Sequence, residues 1–368
     1  MRRLLPLLLL LALLVGAAPA EARKVPKGWL GASFGPEYIS KRSTLTAELR
    51  RMRRAGVETA RFAVYWSHLQ PTAGTAPRFG MLDRVVTASA KARLPLQPVV
   101  LGAPSWAAAS QGRAVKAPRD PAEYAAFMTA LVQRYGPGGT FFQQHPKVRR
   151  FPIRAWQIWN EVSNPYYWDN GYAREYPPVL KAAYDAVKAA DPRALVIASG
   201  LNTGGGGRSW AAQAAIYKQL DAQGLGRPFD EIAVHVYTRV VGDALKVVRQ
   251  TRAVAKRFGD GARPIRVTEL AWPAAKGKLR DADGHRREFF AATNDKGMAK
   301  RLTKGVLLLA RHRKQLRIAG VDWFQWASSY RGTDDAFRYS GLRRVGGKRL
   351  VDKPAMRAFK SVARKLRR

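Results

Sequence analysis

The chain has 368 residues, with 65 Lys and Arg against 26 Asp and Glu, a formal net charge of +39, and no cysteine. The missing cysteines exclude disulfides, thiolate metal sites and thiol catalysis, so stability has to come from a large apolar core. The charge raises nucleic acid as a partner, but Lys and Arg are spread along the whole chain with no helix-turn-helix, zinc-finger or RNA-recognition motif, so no specific nucleic-acid partner is expected. A solvated basic surface is the plainer reading, and adhesion to acidic wall polymers, or an acidic glycan as substrate, is its functional counterpart.

Residues 1–22 read as a secretory signal peptide: Met1-Arg2-Arg3, an apolar run from Leu4 to Val15, then small residues from Gly16 to Ala22. Ala-x-Ala at both 18–20 and 20–22 leaves the cleavage position open. The run is short for a bilayer, and no other apolar run is long enough, so no stable membrane anchor is expected after cleavage. The mature chain is then secreted or associated with the cell envelope. The length of residues 23–368 suits one α/β barrel domain better than two small domains.

Short runs of β-branched and aromatic residues alternate with segments of helical period eight times. In chain order the pattern predicts strand 28–34, helix 44–55, strand 59–65, helix 81–93, strand 96–101 and helix 121–135. It continues with strand 153–159, helix 172–190, strand 195–199, helix 209–223, strand 231–237, helix 242–258, strand 265–268, helix 295–313, strand 321–326 and helix 353–366. Ser43 and Asp120 stand where N-caps belong. Eight such units predict an α/β fold, a single (β/α)8 TIM barrel. An open doubly wound sheet would carry a glycine-rich phosphate loop after its first strand, and Gly31-Ala32-Ser33-Phe34-Gly35-Pro36 does not make one. The glycine run 204–207 lacks the Lys-Ser/Thr ending of a nucleotide-binding turn.

Chemistry in such a barrel sits at the carboxyl ends of the strands. The fourth strand runs into Trp156-Gln157-Ile158-Trp159-Asn160-Glu161 and the seventh into Ile265-Arg266-Val267-Thr268-Glu269. Two carboxylates facing across a cleft are what glycosidic cleavage needs, one to protonate the leaving oxygen and one to meet the developing oxocarbenium ion.

Trp-Asn-Glu on the fourth strand and Thr-Glu on the seventh resemble glycoside hydrolase clan A, retaining glycosidases on (β/α)8 barrels. The resemblance covers essentially the whole mature chain. It implies that Glu161 is the acid/base, Glu269 the nucleophile and Asn160 the amide that binds the sugar 2-hydroxyl. It further implies that Arg61 pairs with the nucleophile, that His235 and Tyr237 form the sixth-strand His-x-Tyr pair with the phenol on that same carboxylate, and that Trp326 floors the sugar site. Two departures stand out. No histidine follows the third strand, where 98–107 is closer to the Pro-x-Trp pattern of family 39 and related bacterial exopolysaccharide hydrolases, and Val162 replaces the proline that commonly follows Asn-Glu.

Double displacement requires the carboxyl groups to lie roughly 5 Å apart. It also requires Glu161 to start protonated, with its affinity for the proton raised by the charge of Glu269. Trp66, Trp106, Trp168 and Trp272, all just after strands, are candidates to stack on sugar rings, which points to a cleft for several units of a poly- or oligosaccharide. The five histidines include no pair at metal-ligand spacing, so neither a metal nor an organic cofactor is expected. The competing reading is a glycan-binding or wall-adhesion protein on a glycosidase barrel. A filled cleft or distant carboxylates would favour it.

Overall fold

The computed structural model describes residues 24–35, 44–110, 115–168, 171–202 and 209–368. The expected signal segment 1–22, Ser43 and the glycine run 204–207 lie outside the described residues. The chain alternates β1 Leu30–Ser33, α1 Leu45–Ala55, β2 Thr59–Tyr65, α2 Gly80–Ala92, β3 Leu96–Leu101, α3 Pro121–Tyr135, β4 Ala155–Ile158 and α4 Tyr172–Ala190. It continues with β5 Leu195–Ile197, α5 Ser209–Ala222, β6 Ile232–Val236, α6 Asp243–Arg257, β7 Ile265–Leu270, α7 Asp295–Arg311, β8 Ile318–Trp323 and α8 Pro354–Arg367.

The eight strands form one parallel sheet in the order β5-β4-β3-β2-β1-β8-β7-β6. Bridges Ile197↔Glu231 and Leu201↔Val234 join its two ends, so the sheet closes into a single (β/α)8 barrel. Strands covered on both faces read as continuous apolar runs, and every residue of β3, Leu-Gln-Pro-Val-Val-Leu, is buried. The helices bury one stripe each; in α8 this is Met356, Phe359, Val362, Ala363 and Leu366. Asp120 caps α3 by accepting the Ala122 amide at 2.8 Å, with Pro121 filling the first turn. At α1 the cap is Thr44, one residue beyond the expected Ser43.

The expected strand 321–326 is corrected to Ile318–Trp323. The apolar run continues past the strand end because Trp326 and Ala327 lead into a small sheet, Ala327–Ser328 with Arg343–Gly346 and Arg349–Asp352, packed beside the barrel. Arg343 of that sheet is buried against Glu48 of α1, at 2.6 and 2.7 Å from its carboxylate oxygens.

Polar side chains also fill part of the barrel interior. Near its base Arg266 pairs with Glu231 at 2.5 and 3.1 Å. Asp322 takes only a long hydrogen bond from the Gln97 amide, 3.4 Å, and its other oxygen has no partner among the described residues. Burial pushes the Asp322 carboxyl up to about 6, against the opposing pull of Arg266 and Arg61. This aspartate fits because β1 carries Gly31 opposite it; a Cβ there would lie 1.7 Å from Asp322 Oδ1.

Candidate active site

The carboxyl end of the barrel opens into a cleft of about 490 Å³ that Arg61, Asn160, Glu161 and Glu269 all line. Glu269 lies within β7, directly across the β6 register from His235. Glu161 follows β4 through a strained turn, with Trp159 at φ 67 and Glu161 at φ 42, left-handed values that L side chains seldom adopt. The turn is held by Trp159 N–H to Val100 O and Glu161 N–H to Gly200 O, each 3.0 Å, and by the Trp159 indole on Tyr167 O at 2.9 Å.

Arg61 organises the floor. Its guanidinium donates to Gln157 Oε1, to Glu269 Oε1 and to Asn160 Oδ1, each at 2.8 Å. The Tyr237 hydroxyl donates to the second Glu269 oxygen. Burial, then the charges of Glu269 and Glu161, push this phenol well above its ordinary range, so it remains a donor. Glu269 thus receives two donors from fixed groups, leaving its remaining lone pairs toward the cleft.

His235 stands between the carboxylates, with Nδ1 2.6 Å from Glu161 Oε1 and 3.4 Å from Glu269 Oε2. One oxygen of each glutamate lies within 4.8 Å of the other and of the imidazole. Glu161 Oε2 accepts from Asn164 Nδ2 at 2.8 Å and Asn202 Nδ2 at 3.2 Å. The imidazole fits only because residue 200 is glycine, where a Cβ would lie 2.2 Å from His235 Nε2.

The expected raised proton affinity of Glu161 is corrected. Burial alone raises it, but the His235 hydrogen bond and charge, then the Asn164 amide and the charge of Arg61, outweigh burial and hold the carboxyl below its ordinary range.

The structure brings Arg61, Asn160, Glu161, His235, Tyr237 and Glu269 together, as the sequence predicts. It does not bring the tryptophans. Trp326 is fully buried and its indole donates to Glu48 Oε2 at 3.0 Å, so it braces the small sheet against α1. Trp66 stacks on Phe127, with ring centroids 5.5 Å apart. The Trp168 indole donates to Glu175 and that of Trp272 to Thr238 O, at 3.0 and 2.7 Å. Trp106, half-buried, donates to Gln70 O at 3.0 Å. None of the five lines the cleft. Its aromatic lining among the described residues is Phe34, Phe62, Tyr65, Tyr166, Tyr167, Phe324 and Phe337. Tyr166 and Tyr167 follow the fourth strand and are legible from the sequence as candidate stacking rings, whereas Asn164, Asn202, Gln157 and the other rings are not singled out by the sequence pattern. Asn202 is within reach of the strand-end rule once the fifth strand is followed past residue 199.

A closed barrel with an acidic pair at its carboxyl rim defines a class of folds in which glycosidases are prominent, and comparison with solved structures agrees. The fold is similar to a family 39 glycoside hydrolase from the gut symbiont Bacteroides cellulosilyticus, with TM-score 0.62 and 18% identity over 94% of this chain and 64% of that one. It is also similar to a monomeric β-xylosidase from Caulobacter crescentus, with TM-score 0.63 and 14% identity over 92% of this chain and 68% of that one. A family 51 α-L-arabinofuranosidase from Bifidobacterium longum matches with TM-score 0.60 and 14% identity, over 93% and 74%. The chain thus spans a little under two thirds of the family 39 enzyme's length. No protein-family model matches the sequence, and no curated protein does.

Proposed function

We propose that this protein is a retaining glycoside hydrolase that cleaves a β-linked poly- or oligosaccharide, with residues 23–368 as its catalytic barrel and residues 1–22 as an export signal. The observation that carries the reading is the spacing of the two glutamates: carboxylate oxygens within 4.8 Å fit the short separation of retaining enzymes, whereas inversion needs a gap of roughly 6.5 Å or more to seat a water.

In the first step Glu269, fixed by Arg61 and Tyr237, attacks the anomeric carbon while a proton passes to the departing oxygen, giving a glycosyl ester on Glu269 and a free hydroxyl on the leaving group. Asn160, oriented by Arg61, is placed to meet the sugar 2-hydroxyl. Glu161 is the immediate donor. A sugar entering the cleft removes water and disfavours the charged carboxylate, which raises the affinity of Glu161 for the proton that it donates. Glu161 then takes a proton from water as it attacks the ester, restoring both carboxyls. Phe324, Phe337 and Tyr167 supply apolar faces for the pyranose rings.

Incubation with a panel of 2-deoxy-2-fluoro glycosides followed by peptide mass spectrometry tests this. A glycosyl adduct on Glu269, absent from Glu269→Ala, is the expected result. Silence toward every probe and every polysaccharide digest, with glycan binding retained, would transfer the barrel to the binding class.

A further inference from the structure

Two cavities at opposite ends of the barrel carry opposite charge. Among the described residues the cleft is lined by three carboxylates, Glu161, Glu269 and Asp335, and by one cation, Arg61, which is already bonded to Gln157, Glu269 and Asn160. At the amino end of the strands lies a depression of about 850 Å³, open between the starts of β1, β2 and β3 and the approach to β4. Lys27, Arg53, Arg93, Arg149 and Arg367 line it, with Glu58 as the single acid among the described residues.

Glu58 is already engaged, accepting the Gly28 amide at 2.8 Å and facing Arg367 at 3.5 Å. Arg53 donates to Ala92 O at 3.1 Å. Lys27, Arg93 and Arg149 take part in no side-chain hydrogen bond or ion pair among the described residues. Arg93 holds its place from the left-handed C-cap of α2, φ 52, where glycine would be the unstrained residue. Like charges gathered round one hollow repel one another, and guanidinium groups are relieved best by oxyanions, which they bind in bidentate fashion. A chain this basic puts cations on most surfaces, but among the described residues none that is free lines the cleft, while three line the depression at the base.

We propose that the basal depression binds a linear polyanion, the carboxylate- or phosphate-bearing chain of a cell-envelope polymer. Several cations spread around one hollow match repeated anionic groups rather than a single ion. Phe151 is the one aromatic ring in the described lining, so the successive stacking platforms of single-stranded nucleic-acid sites are missing there. Because the depression opens at the end opposite the cleft, a bound polymer tethers the enzyme without obstructing the cleft.

The test measures binding of the full chain to fluorescent oligogalacturonate and to poly(glycerol phosphate) at matched charge, by anisotropy across a salt series. It uses wild type, Arg93→Gln/Arg149→Gln, and a charge-matched control, Lys246→Gln/Arg249→Gln, on the exposed face of α6. The basal pair is expected to weaken binding about tenfold or more and to lower the salt slope by roughly two, while the control pair changes affinity less than about threefold. Binding of one polymer alone identifies carboxylate or phosphodiester as the recognised group; binding of both leaves the shared oxyanion chemistry as the determinant. Equal losses in both variants would reduce the effect to bulk charge and overturn the proposal. So would no binding by wild type, or tighter binding of a single-stranded oligonucleotide of equal charge.

Discussion

Asp322→Asn should stabilise the protein in a pH-dependent way. Asp322 is fully buried inside the barrel, and one of its oxygens has no partner among the described residues. Its carboxyl sits at about 6, burial being the main cause. Against an ordinary aspartate value of roughly 3.9 the difference is about two pH units, equivalent to ~3 kcal/mol. The folded state holds this proton more tightly than the unfolded chain does. Stability from this group is therefore fully present below about pH 4, falls as pH rises through the interval to about 6, and levels off above it. Asparagine has the same shape, still accepts from Gln97 and does not titrate. The variant should match wild type near pH 4 and exceed it by up to ~3 kcal/mol above about pH 7. Urea unfolding of both proteins at a series of pH values measures the gap, and taking the difference cancels every other titrating group. A gap that stays flat across that interval, or a variant less stable than wild type at neutral pH, would refute the reasoning.

Other expectations concern the cleft. Glu269→Ala should abolish turnover, with added azide restoring release of a glycosyl azide from an activated substrate; no rescue and an intact fold would remove Glu269 from the nucleophile's role. Tyr237→Phe removes one hydrogen bond to a charged carboxylate, about 1.5–3 kcal/mol, so kcat/KM should drop roughly 10- to 100-fold, read by steady-state kinetics. Gly200→Ala places a methyl 2.2 Å from His235 Nε2, so activity should fall sharply although residue 200 donates no side chain to the cleft; unchanged kinetics would show that the imidazole has room to move. Phe337→Ala should raise KM. Trp326→Phe, by contrast, should lower Tm through the lost Glu48 hydrogen bond and leave KM unchanged.

The parts of the fold legible in the sequence are those with a local physical cause. β2, β3 and α3 fall at their expected bounds because buried apolar runs or, for α3, the Asp120-Pro121 start signal delimit them, and α4 does so on helical period alone. β8 slips by three residues because its apolar run continues into a second buried element, and periodicity does not distinguish the two. The same limit explains the tryptophans. A tryptophan after a strand reads alike whether it faces the cleft or packs beneath the loop, and only the tertiary partners decide: Glu48 for Trp326, Phe127 for Trp66, Thr238 for Trp272. The acidic pair is readable because strand order assigns each glutamate to the rim without reference to packing.

The protonation state of the acid depends instead on atoms that sequence spacing does not fix. Two carboxylates this close favour a shared proton, and repulsion from Glu269 alone would assign that proton to Glu161. What changes the balance is a third group, His235, within hydrogen-bonding reach of Glu161 and close to Glu269 as well. Its hydrogen bond and charge, with the Asn164 amide and Arg61, outweigh burial and hold the Glu161 carboxyl below its ordinary range. On the proposed function, a sugar that displaces water from between Phe324, Phe337 and Tyr167 disfavours the charged carboxylate and raises its affinity for the proton, so the lining that would bind the sugar would also load the acid.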